Sequence, residues 1–192
     1  MTATGPVRVG VAGLGRAFQF MLPTFRADAR VALVAAADPR AEARARFASE
    51  FGGRAYATVG ELVRDRDVEL VYVATPHEHH AAHVAIAAGA GKHVLCEKPI
   101  ATSIAEGRAM VDACASAGVR LVVGHSHAFD APIALARRIV DEGRVGRVRM
   151  VTALNFTDFL YRLRRPEELD TRRGGGAVLN QAAHQVDIVR RL

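Results

Sequence analysis

The chain has 192 residues, half of them hydrophobic, with 26 Lys and Arg against 20 Asp and Glu, two cysteines and no tryptophan. That length and apolar content suffice for one domain and part of another. The sequence has no apolar run of about 18 residues and no apolar leader, which predicts a soluble, cytoplasmic protein with no membrane partner.

The net charge of +6 rests almost wholly on arginine. In Arg40-Ala-Glu-Ala-Arg-Ala-Arg46 and Arg64-Asp-Arg-Asp67 the arginines alternate with acids, as on solvated helix faces, so no nucleic-acid partner is expected. Only Lys92 and Lys98 are lysines. A buried lysine can lose its proton near neutrality and an arginine cannot. Cys96 and Cys114 fall in different elements without a CxxC, which predicts two reduced, half-buried thiols and no structural zinc.

In chain order, Val7 to Val11 reads as a short buried strand, Gly13-Leu-Gly15 as a tight turn, and Phe18, Met21, Leu22 and Phe25 as one face of a helix. Gly13 can take backbone angles closed to other residues. Gly15 lets a ligand's phosphates approach the main chain, so a pyrophosphate would rest on the free N–H groups of the turn and helix start, Gly13 to Ala17 with Arg16 beside them. Phe18 fills the third small position of the glycine pattern, where close helix–strand packing is expected to suffer. Val31 to Ala37 is a second strand, and Asp38 at its end lies near the roughly 20-residue offset of an acid that binds an adenosine ribose. Such a carboxylate favours NAD over NADP; Arg40 partly offsets this, giving preference without exclusivity.

Ala41 to Phe51 recur at helical spacing, and Thr58-Val-Gly-Glu61 is a capping box for a short helix. Val68 to Ala74 is a third strand, stopped by Thr75-Pro76. His80 to Ala88 is a helix, His93 to Cys96 a fourth strand, and Glu97-Lys98-Pro99 follows it. Ser103-Ile-Ala-Glu106 is a second capping box, heading a helix through Ala117. Val119 to Val123 is a fifth strand, ending in Gly124-His-Ser-His127. Strands separated by helices imply an α/β, doubly wound parallel sheet with ligands gathered beyond the strands' carboxyl ends. From Ile133 the pattern changes: a helix to about Glu142, a strand over Val148–Asn155 that would enter a second sheet, and a helix from Ala177 to Leu192. The expected division is a dinucleotide-binding domain over 1–127 and a partial α+β substrate and oligomerisation domain over 128–192, in which the chain stops.

Gly13-Leu-Gly15, Asp38, Thr75-Pro-His-Glu-His-His80, Glu97-Lys98-Pro99 and the late Gly-Gly-Gly with His184 together resemble the Gfo/Idh/MocA family of NAD(P)-dependent oxidoreductases. Gly13-Leu-Gly-Arg-Ala-Phe18, Gly124-His-Ser-His127 and Asn155 to Tyr161 are similar to its phthalate 4,5-cis-dihydrodiol dehydrogenase branch. The resemblance spans nearly the whole chain, while family members are roughly twice as long. It implies a Rossmann domain, a small-molecule substrate and, for the full-length form, a homo-oligomer.

It further implies that Glu97 hydrogen-bonds the nicotinamide ribose and that Lys98 faces the substrate carbon that gives up hydride. Burial beside a cationic ring would lower the Lys98 pKa and suit it to accept a proton; a cis Lys98–Pro99 bond would aim the amine. By the same resemblance Thr75, Pro76 and His80 lie against the cofactor, and His184 is a proton-relay or substrate-binding group. Asn180 stands where many relatives carry Asp; it can hydrogen-bond a hydroxyl but not take its proton. Asp187, three residues after His184, is placed to orient it.

His77, His79, His80 and His83 superficially suggest a metal, but HExxH fails at Ala81, so no metal is expected. Arg162, Arg164, Arg165, Arg172 and Arg173 would suit a dicarboxylate. The reading that follows is hydride transfer from a cyclic diol, such as an aromatic cis-dihydrodiol, to NAD. A sugar or inositol dehydrogenase and a catalytically inert nucleotide-binding module are the alternatives.

Overall fold

Side-chain alternation in the first strand decides which layers can form on either side of it. The computed structural model describes residues 5–156, 161, 163, 164, 166–171 and 175–192. In strand β1 (Val7–Ala12), Val9 and Val11 join one buried cluster and Ala12 the other, as the two-residue period of a strand requires. A Cβ on Gly10 would meet Val68 Cγ1 at 2.9 Å and Leu62 Cδ1 at 3.1 Å, so a side chain there would collide with the second cluster.

The strands β1, β2 (Val31–Ala37), β3 (Arg54–Tyr56), β4 (Leu70–Val73), β5 (His93–Cys96) and β6 (Leu121–Val123) form one sheet in the order β3-β2-β1-β4-β5-β6. Every neighbouring pair is parallel. Between them run α1 (Arg16–Ala27), α2 (Ala41–Phe51), α3 (Val59–Leu62), α4 (His80–Gly89) and α5 (Ile104–Ser116). Phe18, Leu22 and Phe47 from α1 and α2 bury against one face; Leu62, Val84, Met110 and Cys114 from α3, α4 and α5 bury against the other. The strand order reverses between β1 and β4, which opens a crevice at the carboxyl ends of those two strands.

The chain divides into a first unit ending at Val123 and a second, Gly124–Leu192. The second contains α6 (Ala131–Asp141), α7 (Pro166–Leu169) and α8 (Ala183–Arg191). Within it Arg137 Nη1 donates to the Arg191 carbonyl at 2.6 Å, and the Arg191 guanidinium lies 4.6 Å from the centre of the Phe129 ring. No described helix is long and apolar enough to cross a membrane.

Several expectations need correction. Phe18 is accommodated in the packing of α1: it is 2% exposed and meets Phe47 at a tilt and Phe51 edge-on, each at 6.4 Å between ring centres. The capping box at Thr58 is complete, but that at Ser103 is half formed. The Glu106 amide does donate to Ser103 Oγ at 3.2 Å, while the Glu106 carboxylate turns to Thr102, whose hydroxyl and amide both donate to it. The strand expected over Val148–Asn155 is irregular backbone, because no other strand is described in the second unit to pair with it, and Met150 and Leu154 stand exposed. The helix expected from Ala177 begins as a wide π turn, Val178–Ala182, before α8. The two thiols are fully buried rather than half-buried, since both face the same apolar cluster. Burial pushes Cys96 up to about 12 and also raises Cys114, which makes them inert.

Candidate cofactor and active site

The turn after β1 is built for something to lie on it. Gly13 has φ +94°, and a Cβ there would sit 2.9 Å from the Ala74 carbonyl oxygen; the fold itself demands glycine at this point. Gly15 is different, because a Cβ there would meet nothing within 4 Å. The space it leaves is open, and α1 begins directly after it with no side chain capping its free N–H groups. An unsatisfied helix start beside an open glycine turn suits an anionic diphosphate. Arg16 flanks the turn with its guanidinium 4.9 Å from the Phe20 ring centre.

Asp38 closes this corner from the β2 side and is 4% exposed. Its Oδ2 accepts the Leu14 amide at 2.9 Å and its Oδ1 the Arg40 amide at 2.9 Å. The Arg40 guanidinium adds Nε–H to Oδ1 and Nη2–H to Oδ2, both at 2.9 Å. Burial alone would raise this carboxyl, but the guanidinium and the two amides outweigh it and hold it below the usual carboxylate range. All four lone-pair positions are therefore taken. A ribose hydroxyl reaches Asp38 only if the Arg40 side chain, 60% exposed, moves aside.

The loops after β4 and β5 are tied together. His80 is fully buried, with Nδ1 3.0 Å from the Pro99 carbonyl oxygen and Nε2 2.9 Å from that of Thr75. Both ring nitrogens face main-chain carbonyls, to which a ring N–H donates, so the buried His80 braces the two loops instead of presenting an imidazole to a ligand. The Thr75 hydroxyl lies 3.0 Å from His83 Nδ1. Burial, then the neighbouring His79 and His80, lower the His83 pKa.

Glu97 and Lys98 follow β5, and the Lys98–Pro99 bond is cis. Glu97 Oε1 accepts the Tyr72 hydroxyl at 2.7 Å, and Oε2 accepts the Lys98 amide at 3.2 Å. Burial lowers the Lys98 pKa; the Glu97 charge opposes this and the Arg16 charge adds to it. The other lysine, Lys92, is structural: its ammonium donates to the carbonyls of Asp65 and Val68 at 2.9 and 2.7 Å. Tyr72, whose hydroxyl holds Glu97, is a contact of the candidate site that the sequence reading missed. Its only signal is a phenol amid the apolar residues of a buried strand, where the hydroxyl must find a partner.

In the second unit, His184 is buried and packs among imidazoles, with His127 and His125 at 4.4 and 6.3 Å between ring centres. His127 Nδ1 lies 3.0 Å from Asp130 Oδ2. Asn180 sits in the π turn ahead of α8, and its side chain lies outside what is described. Arg164 is directed at Glu168, 4.0 Å away. Arg162, Arg165, Arg172 and Arg173 lie outside the described residues. Among the described residues no group of three or more His, Cys, Asp or Glu is arranged to hold a metal ion.

Gly13, Gly15, Asp38, Thr75, Glu97 and Lys98 thus lie at the carboxyl ends of β1, β2, β4 and β5, while His184 and Asn180 belong to the second unit. The chain as a whole is similar to known proteins. A Comamonas testosteroni enzyme named 1-carboxy-3-chloro-3,4-dihydroxycyclo hexa-1,5-diene dehydrogenase is 52% identical over 97% of this chain and 47% of its own. Inositol 2-dehydrogenase of Rhizobium meliloti is 30% identical over 96% of this chain and 54% of its own. The WlbA dehydrogenase of Bordetella pertussis, crystallised with NADH and UDP-GlcNAcA, superposes with a TM-score of 0.83 at 29% identity, over 97% of this chain and 55% of its own. The chain spans about half the length of the curated relatives it matches. Residues 7–125 match the oxidoreductase family with an NAD-binding Rossmann fold, and residues 133–192 match the GFO/IDH/MocA C-terminal domain. The chain therefore belongs to the Gfo/Idh/MocA family of oxidoreductases and carries its NAD-binding Rossmann domain.

Proposed function

We propose that this chain is the cofactor-binding part, and the beginning of the substrate part, of an NAD-dependent dehydrogenase that oxidises a hydroxyl of a carboxylated cyclohexadiene cis-diol. The observation that carries the reading is Lys98, half-buried beside Glu97 at the end of β5, with its pKa lowered by burial. A nicotinamide ring, when bound, takes the hydride that leaves the carbinol carbon.

The chain's own residues account for the rest. The Gly13–Gly15 turn, the Arg16–Ala17 helix start and Asp38 with Arg40 hold the adenosine diphosphate half. Thr75, Pro76 and Glu97 take the nicotinamide half, and His80 braces the loops that carry them. Neutral Lys98 accepts the hydroxyl proton while the C–H bond breaks, so the O–H proton ends on the amine and the carbinol becomes a carbonyl. In the second unit, His184 is the proton-relay or substrate-binding group, and Asn180 can hydrogen-bond a hydroxyl without taking its proton. The resulting ring ketone enolises to an aromatic product, which draws the oxidation forward.

The ring-diol substrate is supported by the name of the Comamonas relative. The inositol dehydrogenase relative keeps a polyol substrate as a second reading. The half-length match supports a third, a nucleotide-binding module without turnover. Division near residue 127, a cytoplasmic location and a homo-oligomeric full-length form belong to the same proposal. NADH fluorescence titration beside turnover assays on a carboxylated cis-diol and on inositol separates the readings. Turnover of the diol supports the first, turnover of inositol the second, and binding alone the third. Failure to bind NADH would refute all three.

A further inference from the structure

A phenol in the middle of a buried strand needs a reason. Tyr72 is 1% exposed, among the largest fully buried side chains described, and its ring meets Phe25 edge-on at 5.4 Å. A phenylalanine would fill that place equally well and would not bury a hydroxyl, which is costly without a partner. The partner is Glu97 Oε1, 2.7 Å away.

The sheet register explains how they meet. Tyr72 pairs with Leu95 across the β4–β5 ladder, and Glu97 lies two residues beyond Leu95, so the two side chains share a face as a diagonal pair. The Glu97 amide donates to the Val73 carbonyl at 2.9 Å, continuing the ladder to the residue itself. Its carboxylate is then gripped on both oxygens, by the Tyr72 hydroxyl and by the Lys98 amide. Burial, followed by the Glu97 charge, raises the Tyr72 pKa far above its ordinary value, so the hydroxyl remains a donor throughout the working pH range.

We infer that Tyr72 is a positioning residue for the cofactor: from inside the core it sets the Glu97 carboxylate in the orientation that receives the hydroxyls of the nicotinamide ribose. The inference rests on the reading of Glu97 as the ribose acceptor. Tyr72 acts through Glu97 and touches no reacting atom, so its removal affects the nicotinamide half of the cofactor and spares the adenosine half.

The test uses the whole chain with two probes: NADH, which carries both riboses, and ADP, which carries only the adenosine one. Tyr72→Phe is expected to weaken NADH about fivefold, within what a hydrogen bond to a charged group supplies, and to leave ADP affinity unchanged. Glu97→Ala is expected to weaken NADH, and adding Tyr72→Phe to it to cost nothing more. Equal losses of NADH and ADP in Tyr72→Phe would mark a general packing defect and overturn the inference, as would an unchanged NADH affinity or a full additional loss in the double variant. If Glu97→Ala binds NADH as well as the unaltered chain, the reading of Glu97 itself fails and the inference falls with it.

Discussion

Arg40→Ala tests how this corner discriminates between dinucleotides. The substitution removes the two guanidinium donors to Asp38 and keeps both amide donors, from Leu14 and from Arg40 itself. Since the guanidinium side chain is 60% exposed, its loss should cost at most about 1 kcal/mol of stability. The electrostatic consequence is larger. A net-neutral pair becomes a bare carboxylate, with two acceptor positions open where a ribose 2′ substituent would sit. A 2′-phosphate some 6 Å away would meet a repulsion of roughly 0.7 to 3 kcal/mol per unit charge, for an effective dielectric between that of water and about 20. A 2′-hydroxyl would instead gain an acceptor. The ratio of NADPH to NADH dissociation constants is therefore expected to rise about tenfold or more, and the rise should shrink as salt is added. Parallel fluorescence titrations measure it. A ratio that stays put, or that moves toward NADPH, would refute the argument that Arg40 masks Asp38.

Gly13→Ala and Gly15→Ala should part company. The first forces a Cβ to within 2.9 Å of the Ala74 carbonyl at φ +94° and should lower the melting temperature, whereas the second should melt normally and lose NADH affinity. Lys98→Met should keep NADH binding and, in a form that turns over, lose about 10²–10⁴ in kcat. Because the amine must be neutral to accept a proton and burial lowers its pKa, kcat/KM should climb as pH rises through that lowered value, and a Lys98→Met variant with residual turnover should show no such limb. Asp65→Asn should cost about 1–2 kcal/mol, since its carboxylate accepts Arg54 twice at 2.7 Å and Tyr56 at 3.0 Å. Burial raises the Asp65 pKa, but these donors outweigh it and the net direction is down. The contribution is thus fully present above about pH 4 and is lost as pH falls through the lower folded value. Unfolding curves of the two proteins should converge in acid.

Strands β1, β2, β4 and β5 were legible because continuous apolar runs ending in glycine, acid or proline have few other solutions in a parallel sheet. β3 left no comparable trace: Arg54–Tyr56 is three residues long, and two of its side chains, Arg54 and Tyr56, bond Asp65. The irregular course of residues 148–155 shows the converse limit, since an apolar run becomes a strand only where a neighbour accepts its ladder, and none is seen among the described residues of the second unit. Of the candidate site, Gly13, Asp38, Glu97 and Lys98 could be named from spacing and resemblance, because each ends a strand. Arg40, two residues after Asp38, was legible as its partner, whereas the Tyr72 grip on Glu97 and the imidazole cluster around His184 depend on which groups meet in space, and no local pattern encodes that.

The imidazole of His80, with its two nitrogens 3.0 and 2.9 Å from carbonyl oxygens of separate loops, sits as a tie-bar between them. A displacement of the Pro99 turn is transmitted to Thr75, and one at Thr75 to the turn that carries Lys98. Two segments some twenty residues apart in the chain are therefore joined through one interior side chain as well as through the β4–β5 ladder.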